Sequence, residues 1–325
     1  MKTLGVVGTM IWDTIVGRDP REAPVSEWGG IGYALAALDA ALPDDWRVVP
    51  LVKVGRDLAA RAHEFLHGLA RTAPDARFIE APGINPRVAL SYLGGERRCE
   101  GLTGDVPRWT WDELGPLVLG LDALYVNFIT GYEADLSTTQ ALRRAFSGPI
   151  YGDLHSLALG MTDSGERYYR PVEEALAWLA CFDVAQINEE EMAQLGSDPF
   201  ALAAQALHLG VRAVCVTLGP RGAVYVTTGD PRPLAWLARG ESRPAHPGSG
   251  LVRTARIAPE DGPVDGDPTG CGDVFGATLA AALLGGADLE EGVREANRMA
   301  RRNVTYRGAT GLQHHLSGRL AGRGA

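Results

Sequence analysis

The sequence contains no apolar run approaching the roughly 20 residues that cross a bilayer, so no membrane partner is expected. Its N-terminus, MKTLGVVGTMIWDTIVG, has one lysine and a short apolar stretch broken by an aspartate, with no small-residue cleavage site. That reads as a first strand rather than a signal peptide, and a cytoplasmic location is the expectation. Cysteine is scarce: Cys99, Cys181, Cys215 and Cys271 are too far apart for a CxxC zinc or redox pattern, and reduced thiols account for them. The seven histidines give no HExxH, and the His314–His315 pair sits in a polar tail. Positive charge is in deficit, with a net charge of −9, which disfavours nucleic acid or an anionic membrane surface as a partner. Anionic small molecules are not excluded, because a pocket's local field can oppose the overall charge. GVVGTM does not complete GxGxxG, and GxxxxGK[ST] is missing, which argues against a dehydrogenase and a P-loop enzyme. There is no internal repeat and no linker rich in Pro, Gly or Ser, so residues 1–325 read as a single domain.

What is present is an alternation. Short β-branched apolar runs at 3–9, 47–53, 123–129, 149–154, 182–188, 212–219 and 222–228 read as strands. Helical spacing fills 30–41, 56–70, 137–146, 171–180, 189–195 and 199–209. Near-continuous apolar strands separated by helices imply an α/β fold, a mainly parallel sheet covered on both faces. Ligands in such sheets bind beyond the strands' carboxyl ends, which directs attention to 8–13, 127–131, 153–156, 188–191 and 217–222. Two segments break the alternation, 14–29 and 85–104. The second has ALSYL and RRCEG flanking a Gly-Gly turn, as in a hairpin, and together they suggest a small β lid. The turn-rich stretch 241–266 reads as a long surface excursion.

The densest cluster of chemistry is DPTGCGDVFGA, residues 267–277. Val274–Leu284 is apolar on every face, so its helix is buried and begins near Gly270–Asp273. Glycines there let backbone N–H groups approach a ligand, and first-turn amides attract an anion. An aspartate at that spot stays ionised beside the helix dipole. Together they suit phosphoryl transfer, with a cradle for the migrating group and a carboxylate to take a proton from the attacking hydroxyl. Read alone, Gly-x-Gly-Asp is as well explained by a turn with an N-terminal acidic residue.

In order along the chain, this segment and five others resemble the ribokinase-like carbohydrate kinases, the phosphofructokinase B family. The others are GTMIWD (8–13), WGGIGYALAAL (28–38), NEEE (188–191), TLGPRG (217–222) and EANRMARRNVTYRGATGL (295–312). The resemblance implies a three-layer α/β/α sandwich with a small β lid, acting as an ATP- and Mg2+-dependent kinase on a hydroxymethyl group of a sugar or polyol. It makes Asp273 the base and the amides of Gly270, Cys271 and Gly272 the anion hole. Asn188 and Glu191 would orient magnesium, through waters as a hard cation prefers. Thr217, Gly219 and Gly222 would contact the nucleotide, with Asn297 and Gly308 near the adenine. Asp267 and Thr269 match positions that bind a monovalent cation in relatives, so K+ activation is implied, the alternative for Asp267 being a loop cap. Asp13 would accept hydrogen bonds from sugar hydroxyls, its alternative being a turn residue just past a strand, and Gly30 would allow the substrate close approach.

The resemblance fails where the family has an asparagine after Gly-Gly; Ala34 stands there, beside Tyr33. Losing that polar group changes which hydroxyls are recognised. Asp153, His155 and Asn127 could supply replacement contacts, and Arg97 and Arg98 on the lid could meet an anionic substrate. The alternatives are a nucleoside kinase, with Tyr33 or Trp12 stacking on a base, and a non-catalytic sugar- or nucleotide-binding protein. An open lid edge would let two copies pair, so a homodimer is expected.

Overall fold

The structure, a computed structural model, describes residues 1–16, 24–92, 98–104, 106–228, 251–260, 262 and 264–319. β1 (Lys2–Val7) is followed by two strands of a separate sheet, β2 (Met10–Val16) and β3 (Val25–Gly30), and by α1 (Ile31–Ala41). β4 (Trp46–Leu51), the short β5 (Lys53–Gly55), α2 (Ala59–His67) and the short β6 (Ile79–Ala81) lead to β7 (Arg87–Tyr92) and β8 (Arg98–Thr103). Next come α3 (Trp111–Val118), β9 (Ala123–Asn127), α4 (Leu136–Ala145), β10 (Ile150–Asp153), β11 (Leu159–Met161), β12 (Arg167–Tyr169) and α5 (Ala175–Leu179). β13 (Val184–Asn188), α6 (Glu189–Leu195), α7 (Pro199–His208), β14 (Ala213–Thr217), β15 (Ala223–Thr228) and β16 (Val252–Ile257) follow. Three helices close the chain: α8 (Cys271–Leu284), α9 (Leu289–Asn303) and α10 (Leu312–Leu316).

The main described sheet runs β16-β15-β14-β13-β10-β9-β1-β4. It is parallel from β4 to β14, and β15 and β16 run antiparallel at one edge. Alternate side chains leave the pleat on opposite faces, and that assigns two cores. Ala123 and Tyr125 of β9 join the core under α1, α8, α9 and α10. Leu124 and Val126 join the other, under α3 to α7. This is the three-layer α/β/α architecture that the sequence implied. The chain departs from β1 to β4 on one side and reaches β9 on the other. The crevice outside the β1 and β9 carboxyl ends is therefore a topological switch point.

The lid is a four-stranded sheet of order β3-β2-β7-β8. The expected hairpin is present as antiparallel β7 and β8, its Gly-Gly turn lying outside the described residues. Three expectations need correction. β1 ends at Val7, and the lid begins at Met10, not 14, so Asp13 lies within β2, paired with Glu27 and Val88, rather than past a strand end. The 241–266 stretch is not all excursion, because it contains β16, which completes the sheet edge. The lid edge is also less open than expected. β11 and β12 form a second hairpin whose tip meets β8, with Leu102 N–H donating to the Gly165 carbonyl at 2.9 Å. Burial pushes the Cys215 thiol up to about 12. Among the described residues no helix is long and apolar enough to cross a membrane.

Candidate active site

The start of α8 is a fixed backbone. Gly270 caps the helix in the left-handed region (φ +78), a conformation that costs other residues about 1–2 kcal/mol. The Tyr33 ring packs directly over it, where a Cβ would stand. The end of α9 clamps the preceding loop. Asn303, fully buried, donates from Nδ2 to the Thr269 carbonyl at 2.7 Å, and Asp267 N–H donates to the Val304 carbonyl at 2.9 Å. Asp267 Oδ1 accepts from Thr269 N–H (2.9 Å) and Thr269 O–H (2.6 Å). Cys271 N–H donates to the Pro268 carbonyl at 3.1 Å, and its thiol to the Ala300 carbonyl at 3.3 Å. Gly272 differs from Gly270 in one respect that matters: a Cβ built on it meets nothing within 4 Å. Packing does not demand glycine there; the space above it is open cavity.

Beneath this turn lies a buried polar layer contributed by the strand ends. Asn127, at the end of β9, donates from Nδ2 to Asp273 Oδ1 at 2.8 Å. Gln186 of β13 donates from Nε2 to Asp153 Oδ2 and to the Gly272 carbonyl, both at 2.9 Å, and accepts from the Tyr151 hydroxyl at 2.7 Å. Burial raises the Asp153 carboxyl well above its ordinary range; Asp273 and Glu191 push it further up, while His155 pulls it down. Burial likewise raises the Tyr33 phenol, reinforced by Asp13, Asp267 and Asp273, so the ring is neutral.

A cavity of about 280 Å³ opens onto this turn. On its lid side stand Asp13, Gly30, Thr130 and Arg167; on its far side stand Asn188, Glu191, Thr217 and Gly219; Gly270, Cys271, Gly272 and Asp273 lie in its wall with Asp153 and His155. Asn188 and Glu191 form a capping box on α6: Glu191 N–H donates to Asn188 Oδ1 (2.8 Å), and Asn188 N–H donates to Glu191 Oε2 (3.0 Å). The other Glu191 oxygen lies 3.1 Å from His155 Nδ1. His155 has a positive φ of +26, and strain of that kind clusters at functional sites. Burial opposes its charge, but Glu191, Asp273 and Asp153 outweigh that and raise the imidazole to about 10.

Some residues expected at the site lie outside the cavity wall. Asn297 donates to the Ile257 carbonyl at 3.1 Å and ties α9 to β16. Gly222 closes the β14–β15 turn against the same carbonyl, and Gly308 packs on the Glu27 side chain. Ala34 is fully buried in the core. Trp12 is held edge-on to Trp28, with the Arg61 guanidinium 4.9 Å from its ring centre. Arg97 and the Arg98 side chain lie outside the described residues. Sequence reasoning missed Gln186, Asn303 and Arg167. The first carries a signal, a polar residue inside the apolar strand VAQIN; Arg167 carries none, since β11 and β12 are short and flank a polar turn. Arg167 donates to the Thr130 carbonyl at 2.8 Å over the Tyr132 ring.

The model of the pfkB family carbohydrate kinases matches residues 163–315. No curated protein sequence matches the chain. Among solved structures, a ribokinase of Arabidopsis thaliana, complexed with ribose and ATP, is 18% identical with TM-score 0.65, covering 97% of both chains. A nucleoside kinase of Burkholderia thailandensis, complexed with inosine, is 17% identical with TM-score 0.69, covering 97% of this chain and 96% of its own. A pyrophosphate-dependent kinase in the ribokinase family, complexed with a pyrophosphate analog and myo-inositol, is 15% identical with TM-score 0.69, covering 97% and 99%. At such identities the likeness speaks for the fold, and the family match speaks for the segment that holds α8, somewhat less than half of the chain. The chain carries the ribokinase-like fold, and its residues 163–315 match the model of the pfkB family of carbohydrate kinases.

Proposed function

We propose that the protein is an ATP-dependent sugar kinase that phosphorylates a hydroxymethyl group of a sugar or related polyol. One observation carries this reading: a single cavity joins Asp273 and the open glycine turn to a lid-side carboxylate, Asp13, and to the Thr217–Gly219 loop opposite. Asp273 takes the proton of the attacking hydroxyl, and the amides of the 270–272 turn hold the transferring group. Of these, Cys271 N–H already serves the Pro268 carbonyl. Asp13 orients the acceptor, and Gly30 leaves it room. Lid closure would exclude water.

The open space at Gly272 and Gly219, where no side chain intrudes, fits a triphosphate chain. ATP with Mg2+ supplies the phosphoryl group and its charge neutralisation when bound. Among the described residues no cluster of three His, Cys, Asp or Glu could ligate a metal directly. Asn188 and Glu191 are engaged in their capping box, so they would hold magnesium through its waters. Asp267 and Thr269 bond to each other, which suits the loop-cap role as well as K+ binding. The nucleoside alternative is weakened because Trp12 and Tyr33 are packed against Trp28 and Gly270.

The test is ADP release over a panel of sugars, sugar phosphates and nucleosides, D-ribose, myo-inositol and inosine among them. Turnover with a sugar is the expected result. No release with any acceptor, alongside measurable ligand binding, would favour the non-catalytic alternative. Light scattering tests the proposed homodimer.

A further inference from the structure

The sequence suggests Asn127 as a substrate contact, but it is fully buried and outside the cavity wall, and its side chain reaches Asp273 instead. We infer that Asn127 is a positioning residue: its amide locks the Asp273 carboxylate in the orientation in which it faces the acceptor. The inference rests on the reading of Asp273 as the base.

Three observations support it. The bond is short, 2.8 Å, and both partners are at least nine-tenths buried, so water does not compete for it. The reverse amide orientation would set two acceptor oxygens against each other, so an ionised Asp273 dictates that N–H points at it. Both ends are rigid. The backbone after Asn127 is pinned by Phe128 N–H to the Asp153 carbonyl and Ser156 N–H to the Phe128 carbonyl, both 3.0 Å. The helix end can come this close because Gly276, nearly one turn beyond Asp273, has no side chain; a Cβ there would press on Gln186 Oε1 and the Tyr125 hydroxyl.

Among the described residues, the charged and titratable groups that interact with Asp273 include Tyr33 of α1, Tyr125 of β9, Asp153 of β10 and His155 in the turn that follows. The tyrosines stay neutral, Asp153 opposes a second negative charge, and His155 favours it. The Asn127 amide is a neutral donor, and donation of this kind favours the charged form of a carboxyl.

The test compares Asn127→Leu, of similar volume but without a donor, with Asn127→Asp. Both are assayed by ADP release with the panel sugar that the parent turns over fastest. Asn127→Leu should lower kcat about tenfold or more and move the acid limb of kcat/KM up by about one pH unit or more, with the KM for ATP within twofold. Asn127→Asp should move that limb further, because two adjacent carboxylates share a proton. An Asn127→Leu enzyme within twofold of the parent in kcat, with an unmoved limb, overturns the inference. If both variants unfold, the parent protein gives the answer by NMR. The Asn127 side-chain 15N signal should titrate in step with the Asp273 carboxyl 13C, and independent titration overturns the proposal. Asp273→Asn separates the two possible failures. Retained turnover there removes the base reading itself, whereas loss there with an unaffected Asn127→Leu removes only the positioning role.

Discussion

Two glycines one residue apart, Gly270 and Gly272, should respond in opposite ways to the same methyl group. At Gly270 an alanine meets the left-handed backbone and the fixed Tyr33 ring together. The two penalties, about 1–2 kcal/mol and about 1–3 kcal/mol, place the loss of stability at roughly 2–5 kcal/mol. At Gly272 an alanine meets no atom within 4 Å and sits in a regular helical turn, where it should stabilise by about 0.4–1 kcal/mol. With about 2.1 cal/mol/K of unfolding entropy per residue, a chain of 325 residues shifts its Tm by about 1.5 °C per kcal/mol. Gly270→Ala should therefore melt about 3–7 °C lower, and Gly272→Ala about 1 °C higher. Turnover should divide the other way per folded molecule. The Gly272 methyl occupies the space assigned to the transferring group, and a displacement near 1 Å costs on the order of a hundredfold. Differential scanning fluorimetry and ADP release measure the two halves. A Gly272→Ala enzyme that is stable and turns over within a few-fold of the parent would refute the cradle.

Asp273→Asn should lower turnover about 10²- to 10⁴-fold with ATP binding and melting temperature largely retained, checked by ADP release and calorimetry. Asp183, fully buried, accepts from Arg143 at 2.8 Å and from Ile150 N–H at 2.9 Å, far from the cavity wall. Asp183→Ala should cost about 3–5 kcal/mol, or about 4–7 °C in Tm, with activity per folded molecule unchanged. Asp135 caps α4 by accepting from Thr138 N–H at 2.8 Å, and that bond lowers its pKa, with Ser137 also contributing. A depressed carboxyl contributes stability that is present above its unfolded pKa and lost as pH falls through the folded one. Asp135→Ala should therefore cost about 1 kcal/mol at pH 7, and the gap should close below the usual carboxylate range in a pH series of urea melts.

The main sheet and the buried helix were legible because each rests on local pattern. Near-continuous apolar runs bounded by turns gave β9, β10, β13 and β14 within a few residues, and an all-apolar stretch closed by Gly285–Gly286 gave α8. What was not legible depends on partners distant in sequence. Asp13 reads as a residue past a strand because β1 and β2 abut with only Gly8 and Thr9 between them, and nothing local says that the second strand leaves for another sheet. β16 is hidden because VRTARI alternates weakly and every residue but its last, Ile257, is exposed or half-buried. α3 had a readable start, Thr110 with Glu113 as a capping box, but Pro116 inside it obscured the rest. At the site, DPTGCGD pointed to its own turn. That Asn127 lies under Asp273 was not legible, because it depends on helix–sheet packing 146 residues apart.

The meeting of the β11–β12 tip with β8 ties the lid to a second ribbon. Leu102 lies in the cavity wall as well as on the lid strand, and the ribbon that grips it begins four residues after His155. Any swing of the lid must therefore either rupture the Leu102–Gly165 bond or carry the ribbon along, tugging Arg167 and the strained histidine turn as it goes.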